Sequence, residues 1–247
     1  MLDHSQPTIL QIKHQGLLML FRVIATISLS LTLLLSGCAT RTNMAFEDDS
    51  DTVSKENKPI FLMTATLRNT YRTSFQPKLL VVNVERSEVK GRADRINFTM
   101  DDKAKNESDS PTEGSSYLLR MELEQGDYVI RGLTSLGRTF PINGLYFAPL
   151  HSKLKSSVPG VFYLGHVEAT IRERKENEFK AGPSIPLIDQ AIAGASGGTF
   201  DIEISDQWEK DESKFKTKFP ALVAVDVQKV ILPPFDKAQA QKWWEAN

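Results

Sequence analysis

The chain has 247 residues, with 30 basic and 31 acidic side chains and a formal net charge of −1. That balance argues against a nucleic-acid partner, which needs a concentrated basic surface, and the length suits one domain with a real core. The single cysteine, Cys38, excludes an intrachain disulfide framework.

Met1–Leu18 is a polar leader containing Asp3, His4, Gln6, Gln11 and His14. A start at Met19 would give a more compact signal, Met19-Leu20-Phe21-Arg22 ahead of an apolar run. Arg22 is the positive flank, Val23–Leu35 the apolar body and Ser36-Gly37 the small residues of an export signal. Thr26, Ser28, Ser30 and Thr32 dilute the body, which is shorter than the roughly 20 residues of a membrane-spanning helix. An uncleaved anchor helix is therefore the weaker reading, as is a structural or catalytic thiol, because a polar segment follows Cys38 at once.

Leu35-Ser36-Gly37-Cys38 resembles a bacterial lipobox. The resemblance implies a signal peptide over 1–37, cleavage between Gly37 and Cys38, and fatty-acid chains such as palmitate on the new terminus. Removing residues 1–37 takes away Lys13, Arg22 and Asp3, which leaves 28 basic and 30 acidic groups. Ala39, not Asp, follows the cysteine; under the enterobacterial sorting rule that implies the periplasmic face of the outer membrane.

Residues 38–58 have few large apolar side chains beyond Met44, Phe46 and Val53, and carry Glu47-Asp48-Asp49-Ser50-Asp51. Such a segment buries too little surface to offset its ordering entropy, so it is expected to be a lipidated flexible tether. The folded domain is expected over 59–247. Phe61, Met63, Ala65 and Leu67 alternate on one face of a strand, 79–84 is a β-branched second strand, and Ile96, Phe98 and Met100 mark a third. Residues 101–116 read as an exposed loop. The alternation at Leu119, Met121 and Leu123, the Gln125-Gly126 turn and Tyr128-Val129-Ile130 predict a hairpin over 117–132. Leu145–Phe147 is a short strand and 161–174 a longer one. Phe200, Ile202 and Ile204 line another, and Val223, Val225 and Val227 a further one. Helices are expected near 186–193, near 207–217 after Asp206 and Glu209 at capping-box spacing, and near 236–245 after Asp236.

Many short strands with few helices predict a mainly β fold, an antiparallel β-sandwich. Gly126-Asp127-Tyr128-Val129-Ile130-Arg131-Gly132 resembles a strand of prealbumin-like sandwiches, including carboxypeptidase-regulatory-like modules. Val158-Pro159-Gly160-Val161-Phe162-Tyr163-Leu164-Gly165 is similar to stretches in bacterial surface lipoproteins of that kind. These short runs imply a fold and no activity.

No catalytic constellation survives inspection. Gly194-Ala195-Ser196-Gly197-Gly198 matches G-x-S-x-G, but a nucleophile elbow needs a strand before the serine and a helix after it. Here the order is reversed, and no histidine follows His166, so a flexible glycine turn is the better reading. His166 and Glu168 share a strand face, yet no H-x-x-x-H spacing or cysteine partner supports a metal. Asp201, Glu203, Asp206, Glu209, Asp211 and Glu212 lack a calcium-loop pattern and read as helix-start acids. Trp243 and Trp244 lie about 100° apart on a helix. One is expected in the core and one partly exposed, where an aromatic could contact an envelope protein or glycan. The resulting expectation is a non-enzymatic lipoprotein, tethered to the membrane through its N-terminal lipid, that binds or scaffolds another envelope component. It needs no cofactor or metal. The alternative is an envelope hydrolase acting on glycan or peptide through carboxylates.

Overall fold

Among the described residues, ten strands and two α-helices are arranged as two sheets with a shared core. The computed structural model describes residues 39–48, 50–53, 58–105, 113–183, 190 and 192–246. The strands are β1 Thr40–Thr42, β2 Ile60–Asn69, β3 Lys78–Arg86, β4 Arg95–Thr99, β5 Ser115–Glu122, β6 Gly126–Thr139, β7 Ile142–Ser156, β8 Val161–Glu173, β9 Gly198–Ser205 and β10 Val227–Lys229. The helices are α1 Trp208–Lys218 and α2 Lys237–Ala246. The first sheet runs β1-β4-β3-β6-β7 and the second β10-β8-β2-β5, with β9 also beside β8.

The fold is mainly β, as expected, but both sheets are mixed. The pairs β1–β4, β2–β8 and β8–β10 are parallel. Alternation identifies a strand and its inward face but says nothing of direction, so an all-antiparallel arrangement did not follow from it. The hairpin expected over 117–132 does not form. β5 pairs with β2 in the second sheet, whereas β6 pairs with β3 and β7 in the first. The Gln125-Gly126 turn instead carries the chain from one sheet to the other. The long hairpin is β6–β7, paired from Gly126↔Ser156 to Thr139↔Ile142 with one shift between Ile130 and Gly132, which leaves Phe140-Pro141 at its tip.

Phe61, Met63, Ala65 and Leu67 from the second sheet meet Val82, Val84, Tyr128 and Ile130 from the first in one core. The second sheet is covered on its other face as well. Ile60, Leu62, Leu118 and Tyr163 pack there against Phe215 and Phe219 of α1 and its continuation, and against Phe46. The uninterrupted runs Ile60–Met63 and Val161–Leu164 are what two-sided burial requires.

The segment expected to be a tether is, where described, part of this domain. Thr40–Thr42 pairs with Ile96–Phe98, Ala45 N–H donates to Arg120 O at 2.9 Å, and Met44 and Phe46 are buried. A low count of apolar residues concealed that two of them insert fully, and that the edges at β4 and β5 offer unpaired backbone groups. Ala104 is buried within the expected loop 101–116. The expected strand at 223–227 is largely irregular. A 3-10 turn, Pro220–Leu222, precedes it, Val223 is exposed, and only Val227–Lys229 pairs, beside β8.

Both expected C-terminal elements are helical. α1 has Gln207 as its N-cap, and Asp206 Oδ1 accepts the Trp208 N–H at 3.1 Å. At α2, Asp236 Oδ1 accepts the Gln239 N–H at 2.9 Å, and Phe235 packs against Phe179. The helix expected near 186–193 falls largely outside the described residues; Gln190 and Ile192–Ala195 form turns.

Candidate functional site

The outer face of the second sheet, beneath α1, holds a buried polar cluster. In a regular strand Tyr163 and His166, three residues apart, would point to opposite faces. β8 carries a bulge between them: Leu62 pairs with Tyr163 and Thr64 with His166, so Leu164-Gly165 face the single residue Met63. Gly165 has φ +109°, and a Cβ there would lie 3.0 Å from Ser205 O. The bulge therefore requires glycine and turns both side chains towards α1.

Asp211 of α1 descends between them and is almost fully buried. Tyr163 Oη donates to Asp211 Oδ2 at 2.6 Å, His166 Nδ1 lies 3.4 Å from the same oxygen, and His166 Nε2 lies 3.1 Å from Thr66 Oγ1. Lys214 Nζ stands 4.0 Å from Oδ1, and Trp208 packs on the Tyr163 ring with centroids 4.8 Å apart. Burial opposes the Asp211 charge, but His166, Tyr163 and the neighbouring Thr64 hydroxyl outweigh it and hold the carboxyl below its ordinary range. The Thr64 hydroxyl acts there by proximity, without the geometry of a full hydrogen bond. Burial first, and then Asp211, push the Tyr163 phenol well above its usual range, so it remains a donor.

Thr66, His166 and Asp211 have the order hydroxyl–imidazole–carboxylate of an activated nucleophile. β2, however, is paired on both sides, with Ser116 and Glu168 opposite Thr66. The backbone N–H groups of β2 are consumed by the ladder and so supply no donor pair for a tetrahedral oxyanion. The cluster instead locks α1 to the sheet.

A second cluster lies on the first sheet's outer face, beneath α2. Arg131 of β6 faces two residues of β7, Leu150 and His151, in another bulge, and His151 has φ +50°. Its ring meets Trp243 at 4.9 Å, Phe147 lies 5.5 Å from Trp243, and the Arg131 guanidinium 5.2 Å from it. The split expected for the tryptophans is not found. Both are half-buried, Trp243 on this aromatic layer and Trp244 against the main core. His151 Nε2 is buried without a hydrogen-bond partner, and burial together with the Arg131 charge lowers its pKa to about 4.

His151 is therefore expected to make the domain acid-sensitive. Between pH 6.5 and about 4 the unfolded chain binds a proton on this ring and the folded chain does not. The stability present above pH 6.5 should therefore fall across that window by about 3 kcal/mol. His151→Asn, which tolerates the left-handed backbone, should flatten this dependence in urea titrations at pH 7, 6 and 5. An unchanged slope would show that His151 is not the group responsible.

The third feature is an apolar groove at the β6–β7 tip, lined by Leu136, Pro141, Ile142, Leu145 and Ile192. Phe140 beside it is 94% exposed.

Gly37 and Cys38 lie outside the described residues. The glycine stretch 194–198 is not a loose turn: Ala193 and Ala195 are buried, and Tyr146 Oη donates to Ala193 O at 2.7 Å. β9 follows it and no helix does. Glu168 and Glu203 are register partners on β8 and β9, with Arg68 Nη2 on Glu168 at 2.7 Å. Among the described residues no three His, Cys, Asp or Glu side chains converge to hold a metal. Asp211 is a buried acceptor, not a solvated helix-start acid. The available signal for the shared face of Tyr163 and His166 was the isolated Gly165 inside a strand pattern, which marks a bulge. No family model, curated protein or solved structure matches the chain.

Proposed function

We propose that this chain is a lipoprotein of the bacterial cell envelope, anchored through Cys38 on the periplasmic face of the outer membrane, whose two sheets form a β-sandwich that binds another envelope component. The lipobox supports the anchor. Phe140 and Tyr128–Gly132 support the rest: Tyr128 and Ile130 of the prealbumin-like run face the shared core. The observation that carries the binding role is the contiguous apolar surface at the β6–β7 tip, where exposed Phe140 and Ile192 border the groove lined by Leu136, Pro141, Ile142 and Leu145, since a contiguous exposed apolar patch marks a contact surface. Trp243 and Trp244 have their rings largely engaged within the domain and are the lesser candidates.

The alternative, an envelope hydrolase acting through carboxylates, has Glu168 and Glu203 as its pair. Arg68 engages Glu168, which favours a structural use.

Labelled fatty acid should enter the wild-type chain and not Cys38→Ser, which lacks the acceptor sulfur. In crosslinked membranes, a defined partner should be retained by the wild type and lost with Phe140→Ser. Labelling of Cys38→Ser would overturn the anchor, and an undiminished crosslink with Phe140→Ser would overturn the binding surface.

A further inference from the structure

We propose that the domain stands end-on on the lipid bilayer, with its β3–β4 and β7–β8 loops against the headgroups and the Phe140 tip directed away. The orientation rests on acylation of Cys38, proposed above, and follows from how little chain separates that residue from the fold. Only Ala39 intervenes before Thr40, the first residue of β1 and of the compact unit Thr40–Asn247. With about 3.8 Å between successive Cα atoms, Cys38 lies at most about 8 Å from Thr40.

Where β1 begins is therefore where the lipid must emerge. β1 runs parallel to β4, with Thr40 opposite Ile96. Its N-terminal end thus lies at the end of the first sheet where β4 begins and β3 finishes, Glu85 opposite Arg95. β6 starts and β7 finishes at this same end, Gly126 opposite Ser156. The opposite end is the Phe140 tip. β6 has 14 residues, which at about 3.4 Å each places the two ends roughly 40–45 Å apart. A one-residue linker cannot turn that far end to the membrane.

The loops at the anchored end have suitable chemistry. Val89 is 36% and Val158 53% exposed at their tips, and Lys90, Arg92 and Lys155 are exposed around them. Small apolar side chains flanked by long cationic stems suit the boundary of headgroups and acyl chains. Glu88, Glu124 and Asp127 at the same end balance those charges, so the covalent anchor and not anionic-lipid attraction sets the orientation. On exposure alone Phe140 would be the membrane-inserting residue, and the anchor geometry places it on the far side. There the groove faces the periplasmic space, where a partner can reach it.

Val89→Cys, Val158→Cys and Phe140→Cys test this directly. Acylation occupies the Cys38 sulfur, so each new thiol is the one available to an environment-sensitive fluorophore. The acylated proteins are placed in vesicles of phosphatidylethanolamine and phosphatidylglycerol containing a headgroup-nitroxide lipid. Labels at 89 and 158 should lose most of their fluorescence, and the label at 140 should keep most of it. Quenching at 140 equal to or above that at 89 and 158, or no quenching at any site, would overturn the orientation while leaving the anchor intact. An intact mass without acyl chains would overturn the anchor, and the orientation with it.

Discussion

Arg120→Ala should destabilise the domain by about 3–5 kcal/mol, the cost of breaking a buried ion pair from one side. The Arg120 side chain is fully buried on β5. Its Nε donates to Ala45 O at 2.8 Å, Nη1 donates to Leu118 O at 2.9 Å, and Nη2 pairs with Asp101. The guanidinium also sits 4.2 Å from the centre of the Phe219 ring. Burial pulls its pKa down and Asp101 pulls it back, but a guanidinium stays charged throughout the working pH range. One side chain therefore fastens the segment after β1, the loop after β4 and the end of α1 to the second sheet. Truncation would strand the Asp101 carboxylate, leave two carbonyls without donors and open a void beside Phe219. Arg120→Met keeps the apolar stem and should recover part of the loss. The urea midpoint reads both effects, provided the m-value is unchanged. Faster amide exchange over residues 44–46 should accompany the alanine variant. A loss below about 1 kcal/mol, the value of an exposed pair, would show that these attachments are individually dispensable.

Arg120 also marks what the sequence did and did not disclose. In Leu119-Arg120-Met121 the alternation correctly turned Leu119 and Met121 inward, and a charged residue between them reads as solvent-facing. It is instead buried because the other face of the second sheet is covered, by α1 and by Phe46. Burial on both faces depends on which elements close over a sheet, and local periodicity carries no such information. The same cause hid Asp211. Its helix was anticipated to within a residue, but a carboxylate in the first turn of a helix is explained equally well by the dipole. That Tyr163 and His166 share a face was not legible for a different reason: counting by two fails across a bulge, and only Gly165 signalled one. The strand faces of β4 and β9 were legible because each has one apolar side, and the Asp236 cap because it is encoded within four residues. Strand partners were not legible. β5 and β6 are adjacent in sequence and pair in different sheets, whereas β2 and β8, separated by about a hundred residues, are neighbours.

The second large effect is expected at Asp211. Asp211→Ala should cost about 3 kcal/mol, since it leaves the buried Tyr163 hydroxyl and the His166 imidazole without their acceptor. In a domain of this size that corresponds to a melting temperature lower by about 6–12 °C. Asp211→Asn retains an acceptor for Tyr163 and should cost about half as much. Tyr163→Phe removes the donor and leaves the ring on Trp208, so it should be the mildest of the three. The double variant Tyr163→Phe with Asp211→Ala should cost less than the sum of the two single changes, because each single change already breaks the same bond. A pH series adds an independent check with a fixed sign. The Asp211 carboxyl is held below its unfolded value near 3.9, so the stability it contributes is complete above that pH and is lost as the pH falls through the folded value. Asp211→Asn should therefore lose less stability than the wild type below pH 4, although it is weaker at pH 7. Additive single and double costs, or an acid dependence unchanged by Asp211→Asn, would show that the carboxylate does not hold α1 to the second sheet.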